Sequence, residues 1–163
     1  MKVTLKALDE SKLDELQKFM TKCSDFLEFQ EEHPVKPEAA EKLFNDHPKG
    51  YDCSLKQIYG IYINGNQPRI GIAEVLVQYP KPTSACVGLF MLDPSYRHRC
   101  WGDVAYRILE KEMKDQGVQH LRLGVLEKNK DGFRFWVKMG YTFTGERKPY
   151  LSQHLLAMEK ELQ

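Results

Sequence analysis

The stretch GLFMLDPSYRHRCWGDVAYRILEKEMKDQG, residues 88–117, decides the fold of this chain. Its apolar start, Gly88 to Leu92, predicts a strand, and the spacing of apolar residues over about 102–114 predicts a helix that stops before Gly117. The basic residues 97–99 lie at the junction. A helix N-terminus with unpaired N–H groups and nearby cations favours a phosphate or pyrophosphate. A basic, solvated loop before an ordinary helix has the same composition, so the junction alone leaves both interpretations open.

The chain has the size and composition of one globular domain. Its 163 residues are 42% hydrophobic and 29% charged, which is enough apolar material to bury a core. We therefore expect a single domain over residues 1–163. The net charge of +1 provides no global field for nucleic acid or an anionic membrane, and no apolar segment is long enough to cross a bilayer. Neither kind of partner is expected.

Cysteine usage and the N-terminal segment indicate the compartment. Cys23, Cys53, Cys86 and Cys100 are scattered without metal-ligand spacing, and the histidines form no metal-like group. The N-terminal residues contain no signal-peptide core. These features predict reduced thiols, a cytoplasmic location and no bound metal.

The pattern of elements predicts an α/β domain with a mixed, mainly antiparallel sheet. Strands are expected over about residues 3–8, 56–63, 69–79, 86–92, 120–127, 141–147 and 154–162. Helices are expected near residues 13–20, 37–44, 102–114 and 130–139. Residues 23–37 contain two prolines and predict a helical turn followed by a loop, and residues 64–67 (NGNQ) predict a hairpin turn.

Two motifs in the second half of the chain occur in a recognisable order. The predicted strand ends in a Pro-x-Tyr-Arg segment at residues 94–97. A Gln/Arg-x-x-Gly-x-Gly/Ala pattern then begins, with Arg97 at its first position, Cys100 at its middle position and Gly102 at its last. Small residues at such positions let a ligand approach the backbone of a helix N-terminus.

A later segment matches the pattern Asn-x-x-Ala-x-x-Phe/Leu-Tyr. Asn129 matches its first residue, Gly132 stands for the alanine, and Phe135-Trp136 stands for the final pair. Gly140-Tyr141 closes the helix with a glycine and an aromatic residue. In this order and spacing, the motifs resemble the GNAT superfamily of acetyl-CoA-dependent N-acyltransferases, in a bacterial subgroup that has Phe-Trp in the late motif. The resemblance extends over nearly the whole chain.

The resemblance implies a GNAT fold and acetyl-CoA as cosubstrate. The pyrophosphate would lie against the N–H groups of residues 98–103, and pantetheine would lie where the strand 88–92 splays from the strand 121–126. A backbone N–H near Phe90 to Leu92 would stabilise the oxyanion. The implied cofactor-binding residues are Phe90, Met91, Leu92, Arg97, His98, Arg99, Cys100, Trp101, Gly102, Asp103, Asn129 and Trp136.

The implied reaction is direct attack of a primary amine, from a small molecule or peptide, on the acetyl thioester. For the base we favour Glu74, a carboxylate within the apolar run IGIAEVLVQY; it is either near a cleft with a raised pKa or paired structurally. Asp93 is the other carboxylate near the chemistry, although a residue before proline more often shapes the turn, and base catalysis through ordered water would need neither residue. An indole N–H is no acid, so Trp136 is expected to pack against pantetheine or the core. Protonation of the leaving thiolate would then come from water, from Tyr141 or from Tyr150, or would not be needed.

The acceptor is expected at residues 24–34, where the family's acceptor wall lies. Asp25, Glu28 and Phe29 would suit a cationic amine with some apolar body, although an acidic solvated helix face with core aromatics has the same pattern. The closing strand HLLAMEKEL, residues 154–162, is a possible homodimer contact.

A second interpretation belongs to another class of protein. His98, Cys100 and Trp136 depart from the commoner family pattern. These departures are also consistent with a non-catalytic module that binds CoA or a protein partner on the same fold.

Overall fold

The alternating apolar runs and amphipathic segments form seven strands and five α-helices in the part of the chain that the computed structural model describes, residues 2–65 and 68–163. In chain order the elements are β1 Val3–Ala7, α1 Leu13–Lys22, α2 Ser24–Glu31, α3 Ala39–Asn45, β2 Lys56–Ile63, β3 Arg69–Val77, β4 Ser84–Leu92, α4 Trp101–Asp115, β5 His120–Leu126, α5 Lys130–Lys138, β6 Thr142–Tyr150 and β7 Gln153–Glu161.

The seven strands form one sheet in the order β1-β2-β3-β4-β5-β7-β6. Every neighbouring pair is antiparallel except β4 and β5, which run parallel and are joined through α4. Only residues 84–87 of β4 pair with residues 120–123 of β5. Beyond Val87 and Leu123 the two strands continue without pairing, so a gap opens in the middle of the sheet.

Helices cover both faces of the sheet. On one face, Tyr106, Leu109 and Met113 of α4 pack with buried side chains of the central strands and with Trp136 of α5. On the other face, α1, α2 and α3 cover residues such as Ile72 and Leu89. The apolar positions of α1 and α4 recur at helical spacing, which is why each helix buries one stripe. Among the described residues, no helix is long and apolar enough to span a membrane.

The structure confirms the predicted fold class and most of the predicted elements. Residues 24–31 differ, because they form a complete helix rather than one turn. The third helix begins at Ala39, and Pro37 lies in the turn before it. The predicted hairpin turn at 64–67 includes residues 66 and 67, which lie outside the described residues. The strands on either side of this turn pair antiparallel, as a hairpin requires.

The closing strand is not at the edge of the sheet. β7 pairs with β5 on one side and with β6 on the other, so both of its backbone edges are occupied. The expected contact through residues 154–162 therefore has no free strand edge to use, and β6 is the edge strand. A homodimer stays a prediction.

Asp93 fixes the turn that follows β4. Its backbone N–H donates to the Ile70 carbonyl at 2.8 Å, and its carboxylate accepts from the Ser95 N–H at 2.8 Å. The Lys22 ammonium lies 2.9 Å from the other carboxylate oxygen. Burial alone would raise the pKa of Asp93, but Lys22 and the Ser95 amide lower it below its usual range.

We expect Asp93→Asn to lower the free energy of unfolding at pH 7 by about 1 kcal/mol, since Lys22 is largely exposed and a charge-assisted bond to it is screened. Because the pKa of Asp93 is lowered in the fold, its ionised form stabilises the protein above about pH 4, and this contribution is lost as the pH falls through the folded value. Urea unfolding should therefore show a larger difference between the two proteins at pH 7 than at about pH 3.

Asp115→Asn is the control, because Asp115 forms an exposed ion pair with Lys111 at 2.7 Å. It should change stability by no more than about 0.5 kcal/mol at either pH. An Asp93→Asn variant equally destabilised at both pH values would contradict the assigned role of the charge.

Candidate active site

The gap between β4 and β5 is the mouth of a large cavity of about 860 Å³. Residues 86–92 of β4 form one wall and residues 123–126 of β5 form the other. The N-terminal end of α4, the α5 side chains and one face of α2 complete it. The cavity thus extends from the basic junction of the sequence to the helix over residues 24–31.

Backbone groups of β4 are directed into this gap. Asp93 donates to Ile70 of β3, and hydrogen-bonded positions alternate along an antiparallel strand. The N–H and C=O groups of Phe90 and Leu92 therefore point away from β3, toward the gap between β4 and β5. The Leu92 carbonyl accepts from Nε of Arg97 at 2.9 Å and from the Cys23 thiol at 3.6 Å.

The junction before α4 holds two residues in the left-handed region. His98 has φ 58° and Cys100 has φ 65°, and such a backbone favours glycine. The two departures from the family pattern thus fall at positions that adopt a glycine-like conformation. Among the described residues, the backbone N–H groups of residues 98–103 donate no hydrogen bond within the chain. They form the N-terminal end of a 15-residue helix that opens into the cavity, a geometry that suits an anion.

The basic side chains around this helix end differ in their partners. The Arg97 guanidinium forms two bonds to the Asp25 carboxylate, at 2.6 and 3.2 Å. Arg99 turns back to the Ser95 carbonyl at 3.1 Å and does not line the cavity. From α5, Lys138 lines the cavity and pairs with Asp103 at 2.5 Å.

Glu74 borders the cavity through a β-bulge. Leu89 pairs with Glu74 and Val87 with the next residue of β3, so Gly88 between them has no partner. A Cβ at Gly88 would overlap Oε1 of Glu74, so the carboxylate lies directly over the bulge. Gly88 lines the cavity, whereas Glu74 itself does not.

The charge on Glu74 has one close counter-ion. Its Oε2 atom lies 3.0 Å from Nζ of Lys56, and the lysine side chain is only 4% exposed. Burial raises the pKa of Glu74 above its usual range, and the Lys56 ammonium opposes that rise. The predicted alternatives for this residue, a cleft carboxylate with a raised pKa or a structural ion pair, are therefore both present.

The aromatic side chains near the gap separate into core and cavity groups. Trp136 is buried, packs edge-to-face with Phe90 and Tyr106, and reaches the cavity wall. Tyr141 is also buried and shares a hydrogen bond of 2.8 Å with the Tyr106 hydroxyl. Tyr150 lines the cavity, and burial followed by the Glu31 carboxylate raises its pKa to about 12. Of the two tyrosines named as acids, only Tyr150 faces the cavity.

The far end of the cavity is formed by α2 and the β6–β7 hairpin. Phe26, Phe29 and Gln30 line it from α2. The Tyr150 hydroxyl donates to Glu31 at 3.2 Å, and the Ser152 N–H donates to Glu32 at 2.9 Å. These contacts hold the helix across the end of the cavity.

The structure brings most of the predicted cofactor residues to one cavity. Those that line it are Phe90, Met91, Leu92, Arg97, His98, Cys100, Gly102, Asp103, Asn129 and Trp136. Arg99 and Trp101 do not: Arg99 is exposed, and Trp101 packs against Tyr96. Asn129 acts as a helix cap, accepting from the Gly132 N–H at 2.9 Å.

The predicted acceptor residues are only partly brought together. Phe29 lines the cavity, but Asp25 is engaged by Arg97, and Glu28 lies outside the lining. Sequence reasoning missed Lys56 and Gly88. A glycine inside an apolar strand is a signal for a bulge and could have identified Gly88. Within the described ranges, no group of His, Cys, Asp or Glu could hold a metal ion.

Comparisons with known proteins agree with this geometry. Residues 17–141 match the model of the acetyltransferase (GNAT) family. An acetyltransferase from Thermus thermophilus has a similar structure, with a TM-score of 0.77, 13% identity, and coverage of 99% of this chain and 98% of that one. A comparison with curated protein sequences found no significant match.

Two further solved structures share the fold. The PaiA N-acetyltransferase from Thermoplasma acidophilum, in complex with coenzyme A, has a TM-score of 0.66, 20% identity, and coverage of 99% of this chain and 100% of that one. The ribosomal-protein-S18-alanine N-acetyltransferase from Escherichia coli has a TM-score of 0.70, 15% identity, and coverage of 98% and 94%. Because the family model matches well over half of its residues, the chain belongs to the GNAT family of acetyltransferases.

Proposed function

We propose that the protein transfers an acetyl group from acetyl-CoA to a primary amine of a small molecule or peptide. The observation that carries the proposal is the gap between β4 and β5, which joins an anion-binding helix end to a buried carboxylate over a bulge. The Escherichia coli enzyme of the same fold is named for an alanine of a ribosomal protein, which supports an amine acceptor.

The residues around the gap fit acetyl-CoA by their chemistry. The N–H groups of residues 98–103 would hold the pyrophosphate, because they have no acceptor within the described chain. The backbone groups of Phe90 and the N–H of Leu92 would pair with the amides of pantetheine, since the Leu92 carbonyl already accepts from Arg97 and Cys23. Trp136 would pack against the apolar part of pantetheine. When bound, acetyl-CoA supplies an acetyl group activated as a thioester.

Residues of the chain would then accept the proton of the amine, stabilise the oxyanion and protonate the leaving thiolate. The Glu74 carboxylate accepts a proton from the amine nitrogen, directly or through a water, as that nitrogen attacks the acetyl carbon. A backbone N–H of Phe90 or Leu92 donates to the carbonyl oxygen as its negative charge grows. The bond from the acetyl carbon to sulfur breaks, and the thiolate takes a proton from Tyr150 or water, or leaves unprotonated.

The rival proposal is a non-catalytic module that binds CoA. Trp136 favours it, because an indole stands where many members of the family have a tyrosine that acts as an acid. Calorimetry with acetyl-CoA and a thiol-release assay over amines, amino acids, aminoglycosides and peptides separate the two. If the protein does not bind acetyl-CoA at high micromolar concentration, both proposals are wrong. Turnover with any amine removes the rival, and binding without turnover favours it.

We expect Glu74→Gln to lower turnover roughly 10²–10⁴-fold at neutral pH, because the amide keeps the shape of the side chain but accepts no proton. Acetyl-CoA affinity should stay nearly unchanged. The loss should shrink at high pH, where the acceptor amine is already deprotonated. Steady-state kinetics from neutral to high pH and calorimetry measure both quantities.

The fold of this variant must be checked separately, because Glu74→Gln leaves the buried Lys56 ammonium without its carboxylate partner and could destabilise the protein. Unfolding curves and acetyl-CoA binding establish that the variant is native. A native variant with full turnover at neutral pH would return Glu74 to a structural role.

A comparison of three variants tests the helix end. Arg97→Ala should weaken CoA binding by about 1.5–3 kcal/mol, whereas Arg99→Ala should leave it unchanged, since Arg99 lies outside the cavity. Asp25→Asn then separates two ways in which Arg97 acts. If Arg97 contacts the ligand directly, freeing it should maintain or strengthen binding, and if it acts by holding the loop, binding should weaken. Equal losses in the two arginine variants would contradict the placement of Arg99.

A further inference from the structure

Lys56 is a buried cation next to the candidate base. It is the first residue of β2, and its side chain is 4% exposed. A lysine is rarely buried to this degree unless it is paired, because removing an ammonium from water costs several kcal/mol. The groups that contact the Lys56 ammonium therefore indicate its role in the structure.

The Lys56 ammonium joins two separate elements. It donates to the Asp46 carbonyl at 2.6 Å, where Asp46 is the residue that ends α3. It also lies 3.0 Å from Oε2 of Glu74 on β3. The lysine is thus anchored to the end of a helix on one side and to the carboxylate on the other.

The two oxygens of Glu74 have different environments as a result. Oε2 faces Lys56, whereas Oε1 lies over Gly88, the unpaired residue of the bulge that lines the cavity. The ion pair fixes the side chain in the orientation that leaves one oxygen over Gly88, which lines the cavity.

We infer that Lys56 is a positioning residue of the proposed reaction: it keeps the buried Glu74 carboxylate ionised and holds one of its oxygens over the bulge, where the acceptor amine would give up its proton. The inference rests on the proposed function for its consequence in catalysis. The electrostatic part of the inference, that Lys56 keeps Glu74 ionised, can be tested whether or not the protein acetylates an amine.

The other charged groups that face Glu74 support this assignment. Burial and the Asp46 carboxylate both raise the pKa of Glu74, and within the described residues Lys56 is the group that opposes them. The Cys86 thiol on β4 also lies near the carboxylate, and its pKa is raised to about 11, first by burial and then by the charge of Glu74. A neutral Cys86 adds no compensating charge, so removal of Lys56 should raise the pKa of Glu74 further.

The test compares Lys56→Met, Lys56→Gln and Lys56→Arg in the full chain. The two neutral variants should move the acid limb of the kcat/KM profile upward by about 1–3 pH units, and Lys56→Arg should restore it toward the wild-type position. Turnover at pH 6 should then fall roughly tenfold or more, with much less loss at pH 9. Lys111→Met is the matched control, because it deletes a lysine from an exposed ion pair with Asp115. It should leave the profile unchanged.

A carboxyl titration followed by ¹³C NMR separates this inference from the proposed function. The Glu74 signal is assigned by its absence in Glu74→Gln, and its midpoint should rise in the neutral Lys56 variants whether or not any amine is acetylated. If the Glu74 midpoint is raised in the neutral Lys56 variants but the wild-type protein acetylates no amine, the result supports the role of Lys56 and counts against the proposed function. An unmoved midpoint, or a turnover loss equal at every pH, overturns the inference.

The wild-type titration decides the question if neither neutral variant folds. The expected result is a wild-type Glu74 carboxylate that is ionised at neutral pH, since the lysine is present. A midpoint above neutral pH would overturn the inference, because Lys56 would then fail to keep the carboxylate ionised.

Discussion

The separation of β4 from β5 is the constraint on which the rest of the structure depends. Parallel strands joined by a helix normally pair along their length, and each lost ladder bond must be replaced because a buried N–H or C=O group is costly. Here pairing stops after Val87 and Leu123, in the centre of a seven-stranded sheet. The sheet therefore presents unsatisfied backbone groups at a cavity, where a ligand with amide groups can pair with them.

The connection between these strands places charge at the same opening. Because β4 and β5 are parallel, the chain must return along the sheet, and α4 makes that return with its N-terminal end at the splayed end of β4. Arg97 then ties this end to α2 through Asp25. Helix α2, which lines the far end of the cavity, and the loop before α4 are thus one connected unit, although Arg97 and Asp25 are far apart in sequence.

Local patterns were sufficient to predict most of the fold. The alternation of β2 and the spacing of α4 placed those elements within a residue or two of their observed bounds. Helix α2 was predicted as a single turn because Glu32 and Pro34 follow it closely, and the packing of Leu27 against the core is not visible in a local pattern. The position of β7 inside the sheet depends on pairing between distant strands, which no local pattern contains.

The candidate site was predictable where a short motif determines it and not where distant residues meet. The lining contributed by β4, α4 and α5 follows from motifs read along the chain. The partners of the charged residues do not: Arg97 with Asp25, and Glu74 with Lys56, come together only when the helices and strands pack. The sequence therefore identifies the charged residues, whereas the structure shows which of them are already paired with another residue of the chain.

The bulge at Gly88 also has a consequence for how this chain can change during evolution. The carboxylate of Glu74 occupies the space that any side chain at position 88 would need. Each residue thus restricts the other: a larger residue at 88 would push the glutamate away from its ion pair with Lys56, and loss of the glutamate would remove that conflict. Relatives that have abandoned the carboxylate should be free to vary at the bulge, whereas those that retain it should keep glycine there, so the two positions are expected to be inherited as a pair.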